Sequence, residues 1–420
     1  MQEYKLFING EWTANQDGEI VDDINPFNGE VYARVHQAGP KDIERAISAA
    51  KVASLGWGKT SPAARETVLL KAADILSGRI EEIATVLIDE SGSTFGKAMF
   101  ETSFVVNLLR SAAGESRRIF GETMPSDAPD VFSMSVRRPL GVIAGIAPFN
   151  FPFLLACKKV ALAIAAGNAF ILKPSEETAV TGLKIAELFE AAGLPKGVLN
   201  VIPGDGPSIG GTLVNDPRVN MITFTGSTKV GKLLAVQAAS HLKKVTLELG
   251  GKCPLIVLAD ADLDYAVDAA CFGIFLHQGQ VCMANSKLII EAAIFDQFCD
   301  RFVAKVKQLK VGDPRQPDTI IGPLIRGSQC QVIDRHVKDA VAKGARLLTG
   351  GYSESNLYQP TVLADVTSEM NVYDEESFGP VVSIIKAADH EAALGIANDS
   401  DYGLAAAVIT NDLQKAMALS

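Results

Sequence analysis

The run "GVIAGIAPFNFPFLLACKK" (Gly141–Lys159) decides how the chain is read. No residue from Pro139 to Cys157 carries a charge, so a membrane helix, a buried core and a functional turn must be weighed against one another. Pro148 and Pro152 enclose Phe149, Asn150 and Phe151 at its centre, where lipid would leave the freed backbone groups unsatisfied, and no second span accompanies it. A membrane helix is therefore set aside. "GVIAGIA" reads instead as a buried strand, and Pro152 as the first residue of a helix. The turn between them presents Asn150 at a strand end.

The same grammar continues outward. "NAFILK", "VLNVIP", "NMITFT" and "VTLEL" are short apolar or β-branched runs, separated by helical stretches such as Thr178–Ala192, which Gly193 closes. Five strands with crossover helices imply a parallel sheet covered on both faces, a nucleotide-binding type of α/β architecture. A second series ("CPLIVLA", "SKLIIE", "PVVSIIK", "GLAAAVIT") implies a second α/β domain from near Gly250 and Gly251. Before the first sheet, Asn9-Gly10 marks a tight turn, Pro40 a helix start and Ser61-Pro62 a capped one. "GETMPSDAPDVFSMSVRRP" alternates like an exposed strand and is read as a protruding arm used in oligomerisation. "NDLQKAMALS" opens a helix at Asn411 or Asp412 and stops without a closing signal, which is read as a C-terminal end that is missing.

With 420 residues, two or three domains are expected. A net charge of -10 is a poor match to nucleic acid or anionic lipid, so neither is expected as a partner. The six cysteines show no metal-site spacing and fit a reducing, cytoplasmic setting; the N-terminus lacks signal-peptide grammar.

Ligands of open α/β sheets bind beyond the carboxyl ends of the strands, so the residues there carry the chemical readings. Asn150 is either a held amide that stabilises negative charge on oxygen or an Asx turn satisfying its own backbone. Lys173, which ends "NAFILK", and Glu176, just after it, suit a ribose or phosphate, or merely open a helix with favourable acidic residues. "GSTKVG" (Gly226–Gly231) and the turn at Gly204 and Gly206 allow close approach of a pyrophosphate, or serve as loops needing positive φ. Glu248, at the end of "VTLEL", is read as a carboxylate on a buried strand whose pKa burial would raise towards that of a general base, or as a solvent-facing residue. Cys282 sits in a Gly/Gln loop where a thiol is accessible, whereas Cys271 lies mid-helix and Cys253 begins a strand.

"PFNFP", "KPSE", "FTGSTKVG", "LELGGK", "GQVC" and "EESFGPV", in this order, resemble the NAD(P)-dependent aldehyde dehydrogenase superfamily. The resemblance implies residues 1–120 and 139–250 as the Rossmann-like NAD-binding domain, 121–138 as the arm and 251–420 as the catalytic domain. It implies Cys282 as nucleophile, Glu248 as general base, and Asn150 with the Cys282 N–H as oxyanion hole. It places Lys173 and Glu176 on the adenosine ribose, Gly226 and Ser227 near the pyrophosphate, and Glu376 and Phe378 at the nicotinamide ribose and ring. Phe149, Gly206, Gly231 and Leu249 complete the implied cofactor contacts, and Lys159 matches a lysine of the family's proton path. NAD is the implied cofactor; rotation of Glu176 would admit NADP. No metal is implied.

Phe149 replaces the family's usual tryptophan, and His277 stands where many members carry asparagine. "FLHQGQVCM" and "GETMPSD" are most like the bacterial enzymes that oxidise benzaldehyde, vanillin or salicylaldehyde, with Phe151, Phe275 and Met283 expected to line an aromatic tunnel. The chain ends short of the family's usual length, which leaves out a loop over the tunnel and a strand that pairs with a neighbour. A homodimer or homotetramer is expected. Two alternatives stand beside this reading: an aliphatic or semialdehyde oxidiser of the same fold, and a catalytically silent binding protein. No arginine for a carboxylate-bearing substrate lies beside Phe151, Phe275 or Cys282.

Overall fold

The computed structural model describes residues 2–419, and the chain divides into two units. The first comprises residues 2–24, 30–91 and 98–248; the second comprises 25–29, 92–97 and 249–419. The division falls between Glu248 and Leu249.

The first unit is built on a seven-stranded sheet in the order Lys244–Glu248, Met221–Thr225, Val142–Ile146, Ala169–Lys173, Leu199–Val201, Leu6–Ile8, Glu11–Thr13. The five runs read from the sequence are its parallel strands. Numbered along the chain they lie in the order 5-4-1-2-3, the doubly wound arrangement, and the order reverses between Val142–Ile146 and Met221–Thr225. The last two strands form an antiparallel hairpin whose Asn9 and Gly10 both have positive φ, as a two-residue primed turn requires. Two groups of helices cover the sheet: Pro152–Ala165 packs on Ala179–Ala191 and Pro62–Ser77, while Pro40–Trp57 packs on Gly206–Asn215. Phe153, Phe170 and Phe189 are wholly buried in this core, each contributing about 1.5–3 kcal/mol by leaving water. Residues 121–138 form a short antiparallel hairpin, Glu122–Met124 against Ser133–Ser135, with Phe132, Met134 and Val136 exposed.

The second unit carries a six-stranded sheet in the order Arg346–Thr349, Thr361–Ala364, Val381–Ala387, Lys287–Glu291, Pro254–Val257, Ala407–Ile409. All pairs are parallel except the first. Helix Leu413–Leu419 begins as the sequence predicts, with Asp412 accepting from Gln414 and Lys415 N–H. Among the described residues no helix is long and apolar enough to cross a membrane.

Candidate active site

The first unit gathers three of the sequence-read residues after its second parallel strand. Lys173 is buried, and its Nζ donates to Glu176 Oε1 at 2.6 Å. Burial pushes the ammonium pKa down while Glu176 holds it up. Gly206 lies against this pair: a Cβ there would stand 3.0 Å from Glu176 Oε1 and 3.8 Å from Lys173 Nζ. A missing side chain beside an exposed carboxylate that is steered by a buried cation fits the two hydroxyls of a nucleoside ribose.

At the switch point, Gly226 N–H donates to Glu248 O at 3.1 Å. Ser227 caps the next helix by accepting from Val230 N–H, and Gly231 is buried on that helix. Backbone N–H groups at such a helix start suit a pyrophosphate. Lys159 reaches the same region, donating to Thr223 Oγ1 at 3.0 Å; burial pulls its pKa down to about 8, against the opposing charge of Glu248. Of the two readings of Glu248, the solvent-facing one holds. Its strand is an edge strand and its side chain is exposed, so the burial assigned to the carboxylate is not there.

Asn150 is 4% exposed in the turn between Val142–Ile146 and Pro152–Ala165. That turn is anchored by a residue the sequence did not reveal. Glu101, wholly buried, accepts from the N–H groups of Phe153 and Leu154, both at 2.9 Å, at the positive end of the helix. A glutamate inside helix Phe95–Glu115 carries no sequence signal for that role. Phe149 is half-buried beside Asn150.

In the second unit the Gly250-Gly251 pair organises the Cys282 loop. A Cβ on Gly251 would stand 2.5 Å from the Cys282 carbonyl oxygen, and one on Gly250 would stand 2.4 Å from Glu376 Oε2. Glu376 Oε1 accepts from Gly251 N–H at 3.2 Å, and the Cys253 thiol donates to Cys282 O at 3.6 Å. The two glycines thus let the Cys282 backbone and the Glu376 carboxylate approach one strand connection. Lys252, fully buried, donates to Glu375 O; burial pulls its pKa down to about 7, nearby Lys287 adding to this and the carboxylates opposing it. Burial likewise pushes Glu376 up. Leu249, at the start of this connection, is half-buried.

The loop before Cys282 is rigid for physical reasons. His277, Gln278 and Gly279 have φ of 49, 55 and 72°, a left-handed run that costs about 1–3 kcal/mol per non-glycine residue unless its surroundings enforce it. They do enforce it. Gln278 Nε2 donates to the carbonyls of Gly92 and Pro323 at 3.1 and 2.9 Å, and Gln280 Oε1 accepts from Ile325 N–H. A Cβ on Gly279 would stand 2.2 Å from Gly379 O, so this loop lies on the one that carries Phe378, itself at φ 47°. Burial, with the Lys97 charge, keeps the His277 imidazole neutral.

The Phe378 loop is held from beneath by His336, another residue the sequence gave no reason to select. Its Nε2 lies 3.0 Å from Glu375 Oε2 and its Nδ1 2.9 Å from Ser377 Oγ. A carboxylate only accepts, so Nε2 carries the proton and Nδ1 accepts from the serine hydroxyl.

Phe275 corrects a second expectation. It is 1% exposed and stacks on Phe302 with centroids 6.4 Å apart, which makes it core and not tunnel lining. Cys282 is partly exposed, while the other five cysteines are buried.

A doubly wound sheet with a buried lysine paired to a carboxylate beyond its strand ends points to the class: an oxidoreductase using a dinucleotide. The chain belongs to the aldehyde dehydrogenase family, whose model matches residues 12–420. It is 41% identical to a vanillin dehydrogenase of Pseudomonas fluorescens, over 100% of this chain and 88% of that protein. It is 40% identical to a benzaldehyde dehydrogenase of Bacillus subtilis, over 99% of this chain and 86% of that one. The solved salicylaldehyde dehydrogenase of Pseudomonas putida G7, complexed with salicylaldehyde, superposes with a TM-score of 0.98 at 38% identity, covering 100% of this chain and 87% of that chain.

Proposed function

We propose that this aldehyde dehydrogenase oxidises an aromatic aldehyde of the benzaldehyde, vanillin or salicylaldehyde type to its carboxylic acid with NAD, and with NADP when Glu176 swings aside. The observation that carries the reading is that Cys282 alone of the six cysteines is partly exposed, on a loop whose backbone is enforced by buried glutamines. The Cys282 thiolate adds to the aldehyde carbon, and its S–C bond turns the carbonyl oxygen into an alkoxide. The Asn150 amide and the Cys282 N–H donate to that oxygen, more strongly as its charge grows than to the neutral carbonyl. A bound nicotinamide supplies the hydride acceptor. Loss of the adduct's C–H hydrogen with its electron pair to that acceptor would re-form the C=O bond and leave Cys282 acylated as a thioester. Glu248 takes a proton from water as that water attacks the acyl carbon, and the thiolate leaves. An exposed carboxylate suits that last step, since water must reach it.

Lys173, Glu176 and Gly206 hold the adenosine ribose, and Gly226, Ser227 and Gly231 face the pyrophosphate. Phe149, Leu249, Glu376 and Phe378 serve the nicotinamide side. The chain works in the cytoplasm as a homodimer or homotetramer through the residue 121–138 hairpin. Its exposed Phe132, Met134 and Val136 support that assembly, and sedimentation of a variant with all three changed to serine tests it.

Cofactor reduction with benzaldehyde, vanillin, salicylaldehyde and an aliphatic semialdehyde, on wild type and Cys282→Ala, tests the activity. The expected result is turnover of the aromatic substrates that the substitution abolishes. Preference for the semialdehyde would overturn the substrate class, and no turnover of any aldehyde would overturn the reaction.

A further inference from the structure

The first unit contains a cavity of about 1000 Å³ that the aldehyde chemistry does not use. Gly141, immediately before strand Val142–Ile146, and Asn168, immediately before Ala169–Lys173, both line it. The cavity therefore opens at the amino ends of these strands. Lys173, the turn with Asn150 and the Gly226 helix start all follow the carboxyl ends. A five-residue strand separates the two ends by about 13–17 Å. This is not the dinucleotide crevice.

Its lining has a charge that the whole chain does not. The protein carries -10, yet Lys51, Lys59, Arg65, Arg117, Arg137 and Arg138 line this cavity and no carboxylate does. Arg117 is compensated by Glu66 at 2.7 Å. The other five have no ion-pair partner among the described residues.

Two buried polar groups sharpen the point. Arg65 is 8% exposed, and its Nε has no hydrogen-bond partner among the described residues. Burial alone acts on its pKa, downwards, with no carboxylate to oppose it. The fold makes room for this guanidinium: Gly167 has φ 82°, and a Cβ there would stand 2.3 Å from Arg65 Nη1. Ser116, 1% exposed, also lines the cavity with an Oγ that has no hydrogen-bond partner among the described residues. Leaving a buried cation unpaired and a buried hydroxyl unsatisfied is unfavourable unless an anion completes them.

We propose that this cavity is a second anion site that takes a phosphorylated small molecule of nucleotide size. Arginine forks at 65, 137 and 138 match phosphate oxygens in pairs, with the two lysines as point charges. Leu55, Ile119 and Leu140 supply an apolar wall for a base or comparable flat group. Five uncompensated cations outnumber the single charge of an aromatic carboxylate, so the acid product of the reaction is not the ligand. The cavity volume lies at the upper end of small-molecule sites, as a nucleotide needs.

The test is thermal shift and calorimetry with ATP on the full chain, at ionic strength held constant with NaCl and with NAD saturating so that the cofactor crevice is closed to the probe. ATP is expected to raise the melting temperature of wild type. Arg65→Met and the exposed pair Arg137→Ala/Arg138→Ala are each expected to weaken its affinity at least about tenfold. Arg65→Met is also expected to melt above wild type without ATP, because a buried unpaired charge has gone. Should Arg65→Met not fold, the exposed pair carries the test alone. The proposal is overturned if ATP gives no shift, if saturating NAD removes it, or if both variants respond as wild type does. It is also overturned if benzoate stabilises in place of ATP, or if the exposed pair changes only the oligomeric state. The readouts need no aldehyde turnover, so this proposal and the reaction fail separately.

Discussion

Glu101 offers the sharpest test of how the Asn150 turn is held. Its Oε1 accepts two N–H bonds of 2.9 Å, from Phe153 and Leu154, in a wholly buried position at a helix start. Hydrogen bonds to a charged group contribute about 1.5–3 kcal/mol each, which sets a gross loss of roughly 3–6 kcal/mol for Glu101→Ala. Removing the buried carboxylate also removes its desolvation cost, so a net loss of about 3 kcal/mol is expected. Glu101→Gln keeps an oxygen acceptor and loses only the charge, for about 1–2 kcal/mol. Urea unfolding read by tryptophan fluorescence isolates the effect, because Trp12 and Trp57, the only two tryptophans, both lie in the first unit. Turnover at saturating NAD should fall with Glu101→Ala while the KM for NAD holds, since the residue braces the Asn150 turn and not the Lys173–Glu176 pair. A loss below about 1 kcal/mol for Glu101→Ala, or equal losses for Ala and Gln, would refute the reasoning.

Three further outcomes follow from distances and pKa directions. Lys159 is depressed to about 8 in the folded chain against an ordinary 10.5, so the unfolded chain binds more protons between those values and stability rises with pH through that window. Lys159→Met should flatten the rise, by at most about 3 kcal/mol between pH 7.5 and 10.5, in denaturation series across that range. Gly251→Ala puts a Cβ 2.5 Å from the Cys282 carbonyl, a backbone atom that must move. Single-turnover rates should drop about a hundredfold, with NAD binding by fluorescence changed much less. His336→Ala unties Glu375 and Ser377 and should raise the KM for NAD roughly five- to tenfold with kcat within about twofold, His336→Asn restoring part of the loss; an unchanged KM would make the histidine mere packing.

Local chemistry was legible in the sequence because it depends on neighbours along the chain. The five apolar runs, the Asn9-Gly10 turn, the Asp412 cap and the accessible Cys282 loop all follow from residue types at fixed short spacings. What failed depends on pairing across the chain. Glu248 was left open between a carboxylate on a buried strand and a solvent-facing residue, because burial of a strand is decided by its place in the sheet, and 5-4-1-2-3 puts that run at the edge. Phe275 looked like tunnel lining at a helix end until Phe302 covered it. Gln278 and Gln280 stood in view inside "HQGQ", but their partners at Gly92, Pro323 and Ile325 did not. Electrostatics obeys the same limit. A net charge of -10 disfavoured nucleic acid and anionic lipid only on average, whereas the fold draws Lys51, Arg65, Ser116 and Arg138 from separate segments around one cavity and reverses the sign there. A ligand meets that local field within a Debye length of about 8–10 Å, so its binding is set by the five uncompensated cations and not by the sum over the chain.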